Sequence, residues 1–421
     1  MDLNKKNVFL WTLYDFANSI VVIVFFLYFS QWLVIDKGVP DFWYNAIFAV
    51  GSLLLLLTAP ILGSIADKTG KQQNYLNRIT VFVFLFFILT AITTLFFSKN
   101  VFLAVLFFLI ANYLYQFSFV FYNALLPYIA PPEMRGRISG IGQTGGWLGQ
   151  IAGLLITLPL ATGAVYFIGE TGRAQTFLPA AIIFFILAIP MLLFFRLPKH
   201  EKFYGKISLK DEYKNYWYQF KELVKLPGMG LFLLSYFFFN DAIITASNNF
   251  PIYLQNVYAV PDGTKSMLLV GILATSAVGA FCSGFVADKI GLKKTLMIVV
   301  GSFVIIFPLM GFSPNFTIFV TLSILMGFFF GAIWTVTRAT MAALCPKDKM
   351  NFGFSFYTLA ERVSTLIGPL FWGLITYLFL DWGVIRYKIA VTFMVVFVLI
   401  GLYLLRNVEI KENASHLKTK P

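Results

Sequence analysis

Charge is what this sequence has least of. Only 12% of its 421 residues are Asp, Glu, Lys or Arg, while 59% are hydrophobic and the mean hydropathy is +0.80. A soluble domain carries about 25% charged residues, so an ordinary soluble chain is excluded. Histidine is nearly absent too: His200 and His416 both lie in polar segments. No apolar segment therefore holds an imidazole to ligate a metal or shuttle a proton. The two cysteines, Cys282 inside an apolar run and Cys345 at the end of one, exclude a disulfide framework. The sequence has no His-Glu-x-x-His, no Gly-x-Ser-x-Gly elbow and no glycine-rich phosphate loop. Neither an enzyme nor an ATP-driven machine is expected, and no cofactor or metal. The net charge of +13 could suit nucleic acid, but the basic residues sit in short segments between apolar runs. That distribution belongs to membrane topology, so no nucleic-acid partner is expected.

What is present is a series of apolar runs near the length needed to cross a bilayer, about 20 residues. Twelve are read: 8–35, 41–66, 75–98, 100–130, 138–168 and 174–197, then 229–258, 264–289, 293–313, 315–345, 351–380 and 383–407. With the N-terminus inside, about 24 of the 32 Lys and Arg fall on the cytoplasmic side. Both termini are then cytoplasmic. The expected organisation is a six-helix bundle over 1–197, a cytoplasmic linker over 198–228, a second bundle over 229–410 and a tail over 411–421. The linker carries a capping box at Ser208-Leu209-Lys210-Asp211. Leu209, Tyr213, Tyr216, Trp217, Phe220, Leu223 and Val224 then recur at helical spacing, with Lys206, Lys210, Lys214, Lys221 and Lys225 around them. This predicts an amphipathic helix on the inner membrane surface or on the cytoplasmic face of the bundles.

The two halves share a motif. GSIADKTGKQ (63–72) ends the second span and GFVADKIGLK (284–293) ends the eighth. Gly63 matches Gly284, Asp67 matches Asp288, Lys68 matches Lys289 and Gly70 matches Gly291, all 221 positions apart. Repeated halves of this kind occur in secondary transporters. With these loops the chain resembles the major facilitator superfamily, whose signature is Gly-x-x-x-Asp-Arg/Lys-x-Gly-Arg/Lys-Arg/Lys; Gln72 stands at the last basic place. The resemblance implies twelve helices in two pseudo-symmetric bundles. It also implies a cytoplasmic gate at Gly63, Asp67, Lys68, Gly70, Lys71, Gly284, Asp288, Lys289 and Gly291. Trp11-Thr12-Leu13-Tyr14-Asp15-Phe16-Ala17-Asn18-Ser19, with the stretch around Asn240-Asp241, further resembles the vacuole-effluxer family of vacuolar amino-acid effluxers and their bacterial relatives.

Five charges lie within spans: Asp15, Asp241, Arg338, Glu361 and Arg362. Charge in hydrocarbon costs several kcal/mol, so such residues turn to partners or to water. Asp15, Asp241, Glu361 and Arg338 are therefore candidates for substrate contact or proton coupling; a static set of buried ion pairs is the competing reading. Glu361 is expected to meet Arg338. Asn18, Gln116, Asn123, Asn240, Thr245, Asn248 and Asn249 are candidate polar lining. A zwitterion would suit this set, its ammonium on Asp15 or Asp241 and its carboxylate on Arg338. The expectation is a proton-coupled secondary transporter of small polar metabolites, amino acids first, exporting by alternating access. Sugars, drugs or other organic solutes are the alternative cargo, a non-transporting sensor the alternative class, and a sodium site at Asp15, Asn18 and Ser19 the alternative coupling. Gly145, Gly149 and Gly153 form a small-residue stripe suited to close helix packing. Part of the superfamily's antiporter motif is similar, although Leu154 replaces its proline. A monomer in a bacterial inner membrane is expected.

Overall fold

The computed structural model describes residues 4–39, 41–197, 209–260, 262–364 and 367–410. The capping box at Ser208, the first part of the linker with His200 and Lys206, and the 411–421 tail with His416 lie outside the described residues. The described chain is helical throughout. In order, the helices are α1 (Lys5–Val24), α2 (Asp41–Thr69), α3 (Gln72–Phe96), α4 (Val101–Ala124), α5 (Leu126–Ile129), α6 (Arg135–Ala161), α7 (Phe177–Phe194) and α8 (Leu209–Lys225). There follow α9 (Met229–Tyr258), α10 (Asp262–Ile290), α11 (Leu292–Gly311), α12 (Phe316–Leu344), α13 (Met350–Val363), α14 (Ile367–Leu378) and α15 (Ile385–Arg406). An apolar chain in a bilayer must satisfy its own backbone, and a helix does so within one segment. Polar residues mark the helix ends. Asn4, Asn100 and Asn315 each accept a hydrogen bond from the backbone N–H three residues on, capping α1, α4 and α12.

Among the described residues, ten helices are long and apolar enough to cross a membrane. Two of the twelve expected spans are not among them. One, 41–66, falls on α2. The other, 351–380, falls on α13, with 14 residues, and α14, with 12, each short of a crossing by itself; 365–366 lie outside the described residues. The chain is an integral, multi-pass, all-α membrane protein.

By contact the chain groups into two compact units. Unit 1 comprises Met1–Ile129, Gly145–Lys214 and Lys347–Ser355. Within it α1 packs along α7, α3 along α4 and α7, and α2 along α4. Its core is aromatic: Phe25 meets Phe87 at 4.3 Å between ring centroids, and Phe29 meets Phe108 at 4.1 Å. The first span runs beyond α1 through two π-helical turns, Phe25–Phe29 and Trp32–Asp36. Unit 2 comprises Ala130–Thr144, Asn215–Pro346 and Phe356–Pro421. Here α10 lies along α12, while α15 packs on both α9 and α11. Glycine sets the α10–α12 approach, because a Cβ at Gly279 or Gly331 would fall on the carbonyl oxygens of Phe328 and Ser276.

Candidate functional site

The duplicated loop does the same job twice. Asp67 stands near the C-terminal end of α2, and its Oδ1 accepts hydrogen bonds from Asn351 N at 3.0 Å and Asn351 Nδ2 at 2.6 Å. Its Oδ2 accepts from Phe352 N at 2.8 Å. These donors belong to the first turn of α13, whose N–H groups have no partner inside the helix. Asp288, near the end of α10, accepts from Arg137 N at 2.9 Å in the first turn of α6, and Arg137 Nε lies 3.8 Å away. A carboxylate opposite a helix N-terminus is favoured by the helix dipole. Glycine permits both approaches. A Cβ at Gly63 would stand 2.8 Å from Asn351 O, and one at Gly284 would stand 2.6 Å from Gly136 O. Gly70 and Gly291 then turn the chain at φ +62° and +97°, where a side chain would be strained. Lys68, Lys71 and Lys289 are exposed. Burial pushes the Asp67 carboxyl up to about 7, against the three donors that pull it down.

The receiving ends form a second repeat that the sequence reading missed. Pro131 and Pro346, Glu133 and Asp348, and the capped Arg137 and Phe352 are each 215 positions apart. Short 3-10 turns at Pro132–Met134 and Lys347–Lys349 precede α6 and α13 at that same spacing. The signal was legible as Pro-x-acid at a constant offset.

In unit 1, Asp15 is buried on α1 with Asn18 and Ser19. The glycine stripe of α6 lies against them. A Cβ at Gly145 would stand 2.8 Å from Thr12 Cγ2. At Gly146 it would stand 3.1 Å from Ser19 Oγ and 3.5 Å from Asp15 Oδ1. At Gly153 it would stand 2.9 Å from Ile20 O, and at Gly149 it would fall on Phe16 O. Two aromatic clamps brace this part of α1. Tyr14 shares a 2.6 Å hydrogen bond with Thr80 Oγ1. Trp11 stacks on Tyr122 at 4.7 Å, and each side chain bonds the other's backbone carbonyl. On α4, Asn112, Gln116 and Asn123 are buried, and Gln116 Nε2 donates to Asn112 Oδ1 at 3.0 Å.

In unit 2, Asp241 is fully buried on α9. Gly368 N–H, in the first turn of α14, and the Thr245 hydroxyl are the polar groups beside it. Neither of its carboxylate oxygens nor Thr245 Oγ1 meets hydrogen-bond geometry with a partner among the described residues. A Cβ at Gly368 would stand 2.7 Å from Asp241 Oδ1. One residue earlier, Asn240 Nδ2 donates to Ser364 Oγ at 2.7 Å and to Glu361 O at 3.4 Å, where α13 ends. Asn240 and Asp241 thus address the adjoining ends of α13 and α14. Glu361 is half-buried and accepts from Tyr236 Oη at 3.4 Å. Tyr236 stacks on Tyr357 at 4.6 Å, and Tyr357 Oη shares a 3.0 Å bond with Thr337. Arg338 donates from Nε to Ser139 Oγ at 3.0 Å and from a terminal nitrogen to Ser139 O at 2.7 Å. Ser139 has no sequence signal, since one serine 199 residues away stands out in no pattern. Asn248 is exposed on α9, and Asn249 Nδ2 bonds its own helix at Thr245 O. Among the described residues no group of His, Cys, Asp and Glu could hold a metal ion.

The family model described as "Vacuole effluxer Atg22 like" matches residues 43–416. An uncharacterized protein of Aquifex aeolicus is 25% identical over 397 residues, covering 94% of each chain. The MFS-type transporter YxiO of Bacillus subtilis is 26% identical and covers 86% of each. Autophagy-related protein 22 of Vanderwaltozyma polyspora is 26% identical over 53% of this chain and 45% of its own. Two solved structures share the fold at low identity. The human organic anion transporter MFSD10 (TETRAN) aligns with a TM-score of 0.75 at 12% identity, over 96% of this chain and 100% of its own. The Escherichia coli fucose:proton symporter FucP aligns at 0.71 and 13%, over 95% and 96%. The chain therefore belongs to the family described as vacuole effluxer Atg22 like, and it has the fold of these solved transporters.

Proposed function

We propose that this protein exchanges a small polar organic solute for protons across a bacterial inner membrane, with Asp241 as the protonated group. One observation carries the reading. Asp241 is wholly buried, and neither of its oxygens meets full hydrogen-bond geometry with a donor among the described residues, the Gly368 N–H and the Thr245 hydroxyl being the polar groups beside it. A permanently ionised carboxylate so placed would cost several kcal/mol, which a bound proton removes. Asp15, buried on the first span beside Ser19 and Gly146, is its counterpart in unit 1.

The cargo is recognised by amides and hydroxyls. Arg338, the cation expected to hold a substrate carboxylate, spends two hydrogen bonds on Ser139. That weakens the case for a zwitterion. The buried Asn18, Asn112, Gln116 and Asn123 favour an uncharged, hydroxyl-bearing solute such as a sugar. Organic anion and sugar transporters both occur on this fold. Amino acids rank second, supported by the family relationship, and the word effluxer in the family description supports export. The remaining parts of the reading are a monomer of twelve spans with both termini inside, α2 and the α13–α14 pair supplying the two beyond ten.

The test is uptake of labelled sugars, amino acids and organic anions into proteoliposomes with an imposed pH gradient. Saturable, gradient-driven accumulation of a sugar that is lost in Asp241→Asn supports the reading. Accumulation of amino acids alone would return Arg338 to the binding role, and accumulation without a gradient would remove the coupling.

A further inference from the structure

Helix α8 is the one described helix that the transport reading does not use. Its exposed lysines fall on one side. At about 100° per residue, Lys210, Lys214, Lys221 and Lys225 occupy a stripe about 60° wide over four turns. Trp217, Tyr213 and Tyr218 flank that stripe, exposed by 65%, 54% and 67%. Lys225 pairs with Glu222 at 3.4 Å, whereas Lys210, Lys214 and Lys221 form no ion pair among the described residues.

Two contacts hold α8. Tyr213 Oη donates to Leu57 O at 3.4 Å. Leu57 is twelve residues before the end of α2, or about 18 Å along the helix. Phe220 meets Phe356 at 4.7 Å between ring centroids. Phe356 lies six residues inside α13, or about 9 Å. The flank of α2 at that level is apolar and open, with Leu53, Leu54, Leu56 and Leu57 exposed. On the twelve-span reading proposed above, on which this inference rests, the exposed leucines of α2 face lipid tails. Exposed Trp and Tyr suit the boundary of headgroups and tails, and the lysines beside them suit the charged headgroups.

We propose that α8 is a docking surface for anionic phospholipid headgroups of the cytoplasmic leaflet, held by Lys210, Lys214 and Lys221 with Trp217 anchoring the helix. Charge complementarity carries the proposal: a stripe of one sign, with no ion pair at three of its four positions among the described residues. A lysine near such a surface strengthens binding about fivefold, so removing two weakens it about 25-fold.

The experiment is native mass spectrometry of the full chain titrated with phosphatidylglycerol or with phosphatidylcholine of the same chain length. The chain carries either K214Q/K221Q or, as a control of equal charge change at the start of α1, K5Q/K6Q. The expected result is tight phosphatidylglycerol binding by the unmodified chain. It falls about 25-fold in K214Q/K221Q and less than twofold in K5Q/K6Q, with phosphatidylcholine unchanged. Equal losses in the two variants, or no preference for phosphatidylglycerol in the unmodified chain, would overturn the proposal. Because the readout is lipid occupancy, it stands apart from the transport reading.

Discussion

Asp67 sets burial against hydrogen bonding, and pH separates the two. Three donors from the first turn of α13 address its oxygens at 2.6 to 3.0 Å. Burial nevertheless lifts the carboxyl from 3.8 to about 7. The folded state then binds more protons than the unfolded state across that interval. Its stability is highest at the acid end and falls as pH rises toward 7. The full interval corresponds to about 4 kcal/mol, of which about 3 kcal/mol is lost between pH 5 and pH 8. Asp67→Asn keeps one acceptor oxygen and removes the charge. Losing the bond from Phe352 N costs about 1–3 kcal/mol at every pH. Thermal unfolding in detergent, followed by intrinsic fluorescence from pH 5 to pH 8, measures the contest. The unmodified chain loses stability as pH rises while the variant stays nearly flat, so their difference moves by about 3 kcal/mol in the variant's favour. If Asp67→Asn is instead most damaging at pH 8, the three donors outweigh burial and the reasoning fails.

Four further outcomes follow from the packing. A Cβ at Gly140 would stand 2.6 Å from Ala280 O, so Gly140→Ala lowers stability by about 1–3 kcal/mol. Gly301→Ala, with nothing within 4 Å, raises it by about 0.5–1 kcal/mol, and thermal unfolding of the pair checks both signs. Ser139→Ala removes the acceptor of Arg338 Nε and destabilises by about 1–3 kcal/mol in the same assay. Gly368→Ala drives a methyl group onto Asp241 and Thr245, so proton-driven uptake is lost before the overall fold is.

The helical membrane class was legible because apolar runs near 20 residues leave the backbone no other solution. The duplicated loop was legible because an invariant spacing of 221 ties an acid and two glycines together in each copy. What those acids bind was not, since a helix N-terminus presents backbone N–H groups, which carry no residue signature. The Pro-x-acid pair at 215 was the one available clue. Arg338 illustrates the remaining gap. Its hydrogen bonds to Ser139 arise from a close approach of α6 and α12 that no local pattern encodes.

The central claim is that solute movement carries protons through Asp241. The most direct measurement is the internal pH of proteoliposomes, read by a trapped dye, while candidate solutes are added to the unmodified chain and to Asp241→Asn. The account predicts a solute-dependent pH change in the unmodified chain that is absent in the variant, although the variant still binds the solute. A solute-driven pH change of equal size in Asp241→Asn, or solute movement with no pH change in the unmodified chain, would contradict it.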